Sequence, residues 1–318
     1  MPDSPSLSIV SPSYNLGSYI AETIDSVIAQ DLESVEMIVA DGGSDDNTLG
    51  ILLAYEACLN LKWISEPDQG LYDALNKAIA VTSAPWIGWI NCDDIYPGGT
   101  FDAVLNAIAE NPEAEIICGD AEVFSRDSTH NERVLYVNEH YRGDYFEASE
   151  DHLRICHLNA CFFRRDLLER IGTFRTDFRI AADRDFMFRL MSARPRSIHV
   201  GRVTCRYRAH ENSLTMSDVS VEQCAPLSGS NIRVTDELRR LCDLYVSSRD
   251  VPAAVRKWCR TVRARHCMRD AAAALHAKQW GSFLHCVGHG LRLRPRSILW
   301  LAGYVVRAQA GVRGDNGT

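Results

Sequence analysis

Over the first two thirds of the chain, short apolar runs of strand length alternate with stretches whose apolar residues recur at helical spacing. Leu7–Val10 reads as a buried strand that delivers the loop SPSYN at its carboxyl end. In SYIAETIDSVIAQ, Ile20, Ile24, Val27 and Ile28 fall on one helical face. VEMIVADGG is again short, apolar and β-branched, and it ends in Asp41 and two glycines that permit a sharp turn. The rhythm continues with a helix in DNTLGILLAYEACLN, a strand and loop in LKWISEPDQG, a helix in LYDALNKAIAVTS and a strand in APWIGWINCDD that ends in two carboxylates. Such alternation predicts an α/β fold, a parallel sheet flanked by helices, with ligands gathered at the carboxyl ends of the strands.

Beyond Asp94, FDAVLNAIAEN predicts a helix and AEIICGDAEVFS a strand, while the polar segment 125–150 predicts an irregular excursion. HLNACFFRRDLLERIG predicts a strand and helix, RIAADRDFMFRLMSAR a helix, and SIHVGRVTCRYRAHENSLT a strand of alternating character followed by a loop. Residues 217–231, rich in Ser and without apolar periodicity, predict a linker between a domain at 1–216 and a helical region at 232–318.

Charge adds a division that the periodicity does not show. The chain has 318 residues and a formal net charge of −8. Residues 1–230 carry 18 Lys and Arg against 36 Asp and Glu, whereas residues 231–318 carry 16 against 6. A basic piece of this kind suits an anionic partner such as a membrane surface, or a solvated Arg-rich face. No window approaches the roughly 20 apolar residues of a spanning helix. The N-terminus lacks the pattern of a secretory signal, so a cytoplasmic location is expected. Eleven cysteines without a CxxC pair argue against a disulfide framework or a zinc ribbon.

The chemistry gathers at strand ends. Asp41 is placed either to accept hydrogen bonds from a ligand or to close the turn through Gly42 and Gly43. Asp93 and Asp94 stand together after WIGWI, where two carboxylates repel unless a cation or donors lie beside them. Oxygen ligands of this kind suit Mg²⁺ or Mn²⁺ completed by water and phosphate, with a helix N-cap as the competing use of one of the pair.

The ordered set SIVSPSYN, IVADGGSDDNT, SEPDQGLYDALNKAI, WIGWINCDD, HLNACFFRRDLLERIGTF and RIAADRDFMFRL resembles the family 2 glycosyltransferases, of GT-A fold, over roughly residues 7–215. The resemblance implies an inverting transfer of sugar from a nucleotide-diphosphate sugar to an acceptor hydroxyl, with a divalent cation. It implies that Pro12, Tyr14 and Asp41 hold the base and ribose, and that Gly70, Asn76 and Lys77 border the donor. Asn91–Asp94 matches the family's DxD motif, which implies that Asp93 meets the ribose and Asp94 the metal, with His210 as a further metal or phosphate contact. Asp183 matches the catalytic base of an E-D motif whose Glu is replaced here by Ala182, and His157 falls in a segment lining the acceptor side. The implied partners are the donor and a carbohydrate or lipid-linked acceptor of cell-surface polysaccharide or glycolipid assembly; no nucleic acid is expected.

The stretch 292–318, apolar with basic shoulders, predicts a contact with an anionic membrane surface, against packing on the catalytic domain or in a homo-oligomer. Two rival enzyme classes lack their loops: no G-x-G-x-R of a sugar-phosphate nucleotidyltransferase follows the first strand, and no G-x-G-x-x-G of a dinucleotide enzyme opens the first helix. A non-catalytic nucleotide-sugar-binding protein is the remaining alternative, favoured only by Ala182.

Overall fold

The structure is a computed structural model that describes residues 5–30, 33–56, 60–127, 129, 131–139, 142–144, 146, 157–210 and 232–305. The chain divides into two compact units, residues 1–231 and 232–318. In the first unit the elements follow as β1 (Leu7–Ser13), α1 (Ile20–Ile28), β2 (Val35–Asp41), α2 (Thr48–Tyr55), β3 (Leu61–Ser65), α3 (Leu71–Ala80) and β4 (Trp86–Trp89). They continue as α4 (Thr100–Glu110), β5 (Ile116–Arg126), β6 (Glu132–Asn138), β7 (Cys161–Arg164), α5 (Arg165–Ile171), α6 (Ala182–Ala193) and β8 (Ser197–Ala209). The second unit holds α7 (Ile232–Tyr245), α8 (Ala253–His276) and α9 (Trp280–Leu293), followed by a helical stretch at 298–305.

The strands form one mostly parallel, eight-stranded sheet in the order β3-β2-β1-β4-β7-β5-β6, with β8 parallel beside β5. β1 to β4 run parallel, whereas β7 is antiparallel to both β4 and β5. Every residue of β1 and β2 is buried, as expected for central strands covered on both faces. Leu7 and Ile9 pack with Phe101 and Val104 of α4, and Met37 and Val39 with Ile20 and Ile24 of α1.

Alternation turns Val10 and Trp89 to the opposite face. There Phe186 of α6 meets Trp89 at 5.7 Å and Phe163 at 5.7 Å between ring centroids, and Tyr72 of α3 joins through Phe174. Each such pair contributes about 0.5–1.5 kcal/mol beyond its burial. Close approach of β4 and β7 requires Gly88, whose Cβ would stand 2.6 Å from the ring of Phe162.

Two features differ from the sequence expectation. β1 runs on through Pro12 to Ser13, because β4 pairs with it only as far as Val10, so the missing proline N–H faces no ladder there. The polar excursion contains β6, whose apolar run Val134–Val137 is short, flanked by polar and charged residues, and exposed at Val134 and Val137 on an outer strand. The predicted linker at 217–231 lies outside the described residues. The described cysteines are free, and all but Cys286 are buried.

At the start of the sheet Glu36 of β2 is buried. It accepts hydrogen bonds from Ser8 Oγ (2.6 Å), Ser83 N (2.9 Å), Ser83 Oγ (3.0 Å) and Lys62 Nζ (3.0 Å). Burial by itself raises this carboxyl, but the donors from Ser8, Ser83 and Lys62 outweigh it and lower it from 4.5 to about 2.

Candidate active site

The loops after β1, β2, β3 and β4 leave the sheet at one edge, and short hydrogen bonds lace them together. Gly42 N donates to Ser13 O (2.8 Å), Asn15 N to Ser44 Oγ (2.8 Å) and Asp45 N to Asn15 Oδ1 (3.0 Å). Asn15 adopts the left-handed conformation (φ 53°) that asparagine tolerates. The Asp41 carboxylate accepts Gly43 N, Ser44 N and Ser65 Oγ on Oδ2, and Ser44 Oγ on Oδ1. Asp41 therefore closes the turn and ties β2 to β3. Pro12 is buried within β1, while Tyr14 stands 61% exposed at the tip of its loop.

Asp93 and Asp94, adjacent in sequence, occupy different surroundings. Asp94 is fully buried; its Oδ2 accepts Asn91 Nδ2 and Asn159 Nδ2, each at 3.1 Å, and its Oδ1 accepts Arg208 N at 2.9 Å. Burial above all, then the charge of Asp93, pushes its carboxyl well above the usual carboxylate range against the pull of those donors. Asp93 instead pairs through Oδ2 with Nε2 of His210 at 2.9 Å, and its Oδ1 is buried with no hydrogen-bond partner among the described residues. The His210 ring stacks on Tyr19 with centroids 4.6 Å apart.

Behind this pair lies a set of charges. Arg208 is almost wholly buried; its Nε donates to Asp93 O at 2.8 Å and its Nη2 to Glu22 Oε2 at 2.7 Å. Glu22 also takes both terminal nitrogens of Arg126 at 3.0 and 2.8 Å. Burial raises the Glu22 carboxyl, but the guanidinium groups of Arg126 and Arg208 hold it below its ordinary value. Arg208 and Asn159 are the residues that sequence reasoning missed. The signal for the first was present in RYRAH, because Arg206, Arg208 and His210 share one face at a strand's period of two. Asn159 had none beyond its place two residues after His157.

The remaining candidates divide. Asp183 is exposed on the first turn of α6, accepting Arg184 N at 2.5 Å, and the aromatic contacts of Phe186 seat that turn over the end of β4. Asp185 points inward and pairs with Arg189 (2.8 Å). His157 precedes a short 3₁₀ turn, its ring 5.5 Å from that of Tyr207. Gly70 starts α3 with a left-handed φ of 117°. Asn76 spends its amide on the backbone of Phe174, donating to O at 2.7 Å and accepting from N at 3.0 Å. Lys77 pairs with Glu66 (2.9 Å) and donates to Pro67 O, so it braces the loop after β3.

The donor set fits a divalent cation. A carboxylate oxygen buried without a donor is costly unless something positive completes it, and a carboxylate with an imidazole suits Mn²⁺ better than Mg²⁺. Among the described residues no group of three or more His, Cys, Asp and Glu side chains converges, so water and ligand oxygens would supply the rest of the shell.

The sequence profile described as glycosyl transferase family 2 matches residues 8–172, which spans β1 to α5. The chain belongs to this family. A PGL/p-HBAD biosynthesis glycosyltransferase of Mycobacterium bovis (strain BCG / Pasteur 1173P2) is 29% identical over 194 residues, which cover 59% of this chain and 70% of that one. Among solved structures, the fold is shared with S. aureus TarS 1-349 in complex with UDP-GlcNAc (TM-score 0.63, 17% identity, 93% of this chain and 83% of that one). Against the longer S. aureus TarS structure, the family 2 chain described here spans half of the length. The mannosyltransferase PcManGT from Pyrobaculum calidifontis, in complex with GDP-Man and Mn2+, aligns with a TM-score of 0.56 at 19% identity, over 99% of this chain and 89% of that one. These neighbours are glycosyltransferases of GT-A type, and the mixed α/β sheet flanked by helices is of the same kind.

Proposed function

We propose that this family 2 glycosyltransferase inverts configuration as it moves a sugar from a nucleotide-diphosphate donor to an acceptor hydroxyl. The observation that carries the reading is the Asp93–His210 pair, with its unpartnered carboxylate oxygen, at the carboxyl edge of the sheet. In place of the ribose contact that the resemblance implied for Asp93 and the metal contact it implied for Asp94, Asp93 with His210 holds the cation, and Asp94, saturated by Asn91, Asn159 and Arg208, fixes the loop that presents Asp93. When bound, the cation neutralises the diphosphate as it leaves.

Tyr14 offers an aromatic face to the base, on a loop held in place by Pro12, Asn15 and Asp41. Gly70 and Asn76 shape the donor's border from behind, Asn76 by fixing the turn at Phe174. His157 lies on the acceptor side. Asp183 takes the proton of the acceptor hydroxyl as that oxygen bonds to C1 and the bond from C1 to the diphosphate oxygen breaks on the opposite face. An acceptor in cell-surface polysaccharide or glycolipid assembly fits the company of the mycobacterial PGL/p-HBAD biosynthesis glycosyltransferase.

The test is thermal stabilisation by UDP, dTDP and GDP with and without Mn²⁺, followed by donor-sugar release in the presence of simple glycoside acceptors. Nucleotide stabilisation that depends on Mn²⁺ and disappears in Asp93→Asn supports the reading; stabilisation by no nucleotide overturns it. Binding without turnover would favour the non-catalytic alternative to which Ala182 points.

A further inference from the structure

The second unit presents an apolar stripe to solvent that its own packing does not use. α9 meets α8 through Gly290, whose Cβ would lie 3.1 Å from Cβ of Cys267, and through His289, whose Nδ1 is 3.7 Å from Sγ of Cys267. That contact faces one side of the helix. Trp280, Leu284, Val287 and Leu291 recur at i, i+4, i+7 and i+11 and fall in a narrow band on another. Trp280 is 62% and Leu284 67% exposed, and Val287 and Leu291 are half-buried. Downstream, Leu299 is 72% exposed, while Trp300 is held inward under the guanidinium groups of Arg265 and Arg294 at 4.9 and 5.4 Å.

Along the stretch that carries this stripe the charge has one sign, and the acids that act on α9 from its neighbours, Asp243 on His289 and Asp270 on Cys286, are paired with Arg263 and Arg239. Residues 271–314 contain no Asp or Glu, and Arg292 and Arg296 are exposed on the same stretch. Scattered apolar residues on a surface need no explanation, but a helical band with a Trp at one end, on a stretch that carries arginines and no acid of its own, has the chemistry of an interfacial helix. A second protein would have to bring a matching acidic, apolar groove; an anionic bilayer supplies both features at once.

We infer that the α9 stripe, with Arg292 and Arg296, is a docking surface for an anionic lipid bilayer. The surface lies upstream of most of the segment that the sequence marked for this role, because the apolar band of α9 begins at Trp280. No described helix is long and apolar enough to cross a membrane, so the contact is one of lying on the interface. The inference does not depend on the identity of the sugar donor or on any residue of the sheet edge.

The experiment is co-sedimentation of the full chain with vesicles of phosphatidylcholine alone and of equal parts phosphatidylcholine and phosphatidylglycerol, at low and raised salt. Binding is expected to the mixed vesicles only, weakening with salt. The double variant Trp280→Ser, Leu284→Ser should reduce partitioning about tenfold or more, and Arg292→Gln and Arg296→Gln about fivefold each. Because all four side chains are exposed, each variant should keep the parent melting temperature and nucleotide response, which separates loss of docking from loss of fold or of the donor site. Absence of binding to the mixed vesicles, or undiminished binding by the double variant, overturns the inference. So does a dimer that the double variant splits while lipid binding is unchanged, since the stripe then belongs to a second copy.

Discussion

At the start of the sheet Glu36 is surrounded by four hydrogen bonds from Ser8, Ser83 and Lys62, whereas at the far end Asp93 keeps one oxygen buried without a donor among the described residues. Both carboxylates stand on or just beyond parallel strands of one sheet; Glu36 is shielded from water, and Asp93 is half-buried with its Oδ1 shielded. The first is satisfied from within and ties β1, β2, β3 and the entry to β4 together. The second is satisfied on one oxygen only, which is costly in a folded chain unless an outside group repays it. Asp94 shows that the difference is not one of sequence position, since the residue next to Asp93 is as fully satisfied as Glu36. What separates the two carboxylates is the count of donors reaching each oxygen.

The comparison can be broken in graded ways. The largest effect is expected at neither carboxylate but at the proposed base: Asp183→Asn should lower turnover by about 10²–10⁴-fold with Mn²⁺-dependent nucleotide binding intact, as read by initial rates and thermal shift. Turnover equal to the parent would remove the base from Asp183. Next, Asp93→Asn should weaken Mn²⁺-dependent nucleotide binding by about a hundredfold or more at little cost in stability. Asp94→Ala should do the reverse and lower stability by about 1–3 kcal/mol in urea titration, because three donors lose their acceptor. If the two variants behave alike, the distinction between the carboxylates fails.

A smaller effect should follow from the charges behind the pair. Glu22→Gln releases Arg208 and, through it, the backbone of Asp93, and should weaken Mn²⁺ affinity by about 10–100-fold while nucleotide binding without metal stays the same. A uniform loss of both would mark Glu22 as a general packing residue. The smallest effect lies at the other end of the sheet. With its folded value at about 2 against 4.5 unfolded, Glu36 contributes stability that is present above about pH 4.5 and is lost as pH falls toward 2. Glu36→Gln should flatten that part of the stability profile and leave activity per folded molecule unchanged at neutral pH.

Much of this was legible from residues alone, for physical reasons. The strands at Leu7, Val35 and Trp86 announce themselves because central parallel strands are apolar on both faces, and the acids that follow them are conspicuous against that background. β6 was hidden because its four apolar residues, Val134–Val137, stand alone in a polar and charged stretch on an outer strand. The division of labour between Asp93 and Asp94 was hidden because it depends on Asn159 and Arg208, 65 and 114 positions away from Asp94, reaching one carboxylate and not its neighbour. Asn76 carried the same kind of ambiguity: its type suits a ligand contact, and only the position of Phe174 reveals that its amide is already committed.

That commitment has a practical side. The Asn76 side chain meets the peptide of Phe174 as one strand meets another, with a donor and an acceptor engaged together, so it sets the take-off point of the chain running from Phe174 to the first turn of α6. The segment between these two fixed points, 175–181, is therefore a cassette with a defined beginning and end. Transplanting the corresponding segment from a relative that also keeps an amide at the Asn76 position should preserve the placement of Asp183 while changing what lies beside it, a route to altered acceptor choice that leaves the sheet untouched.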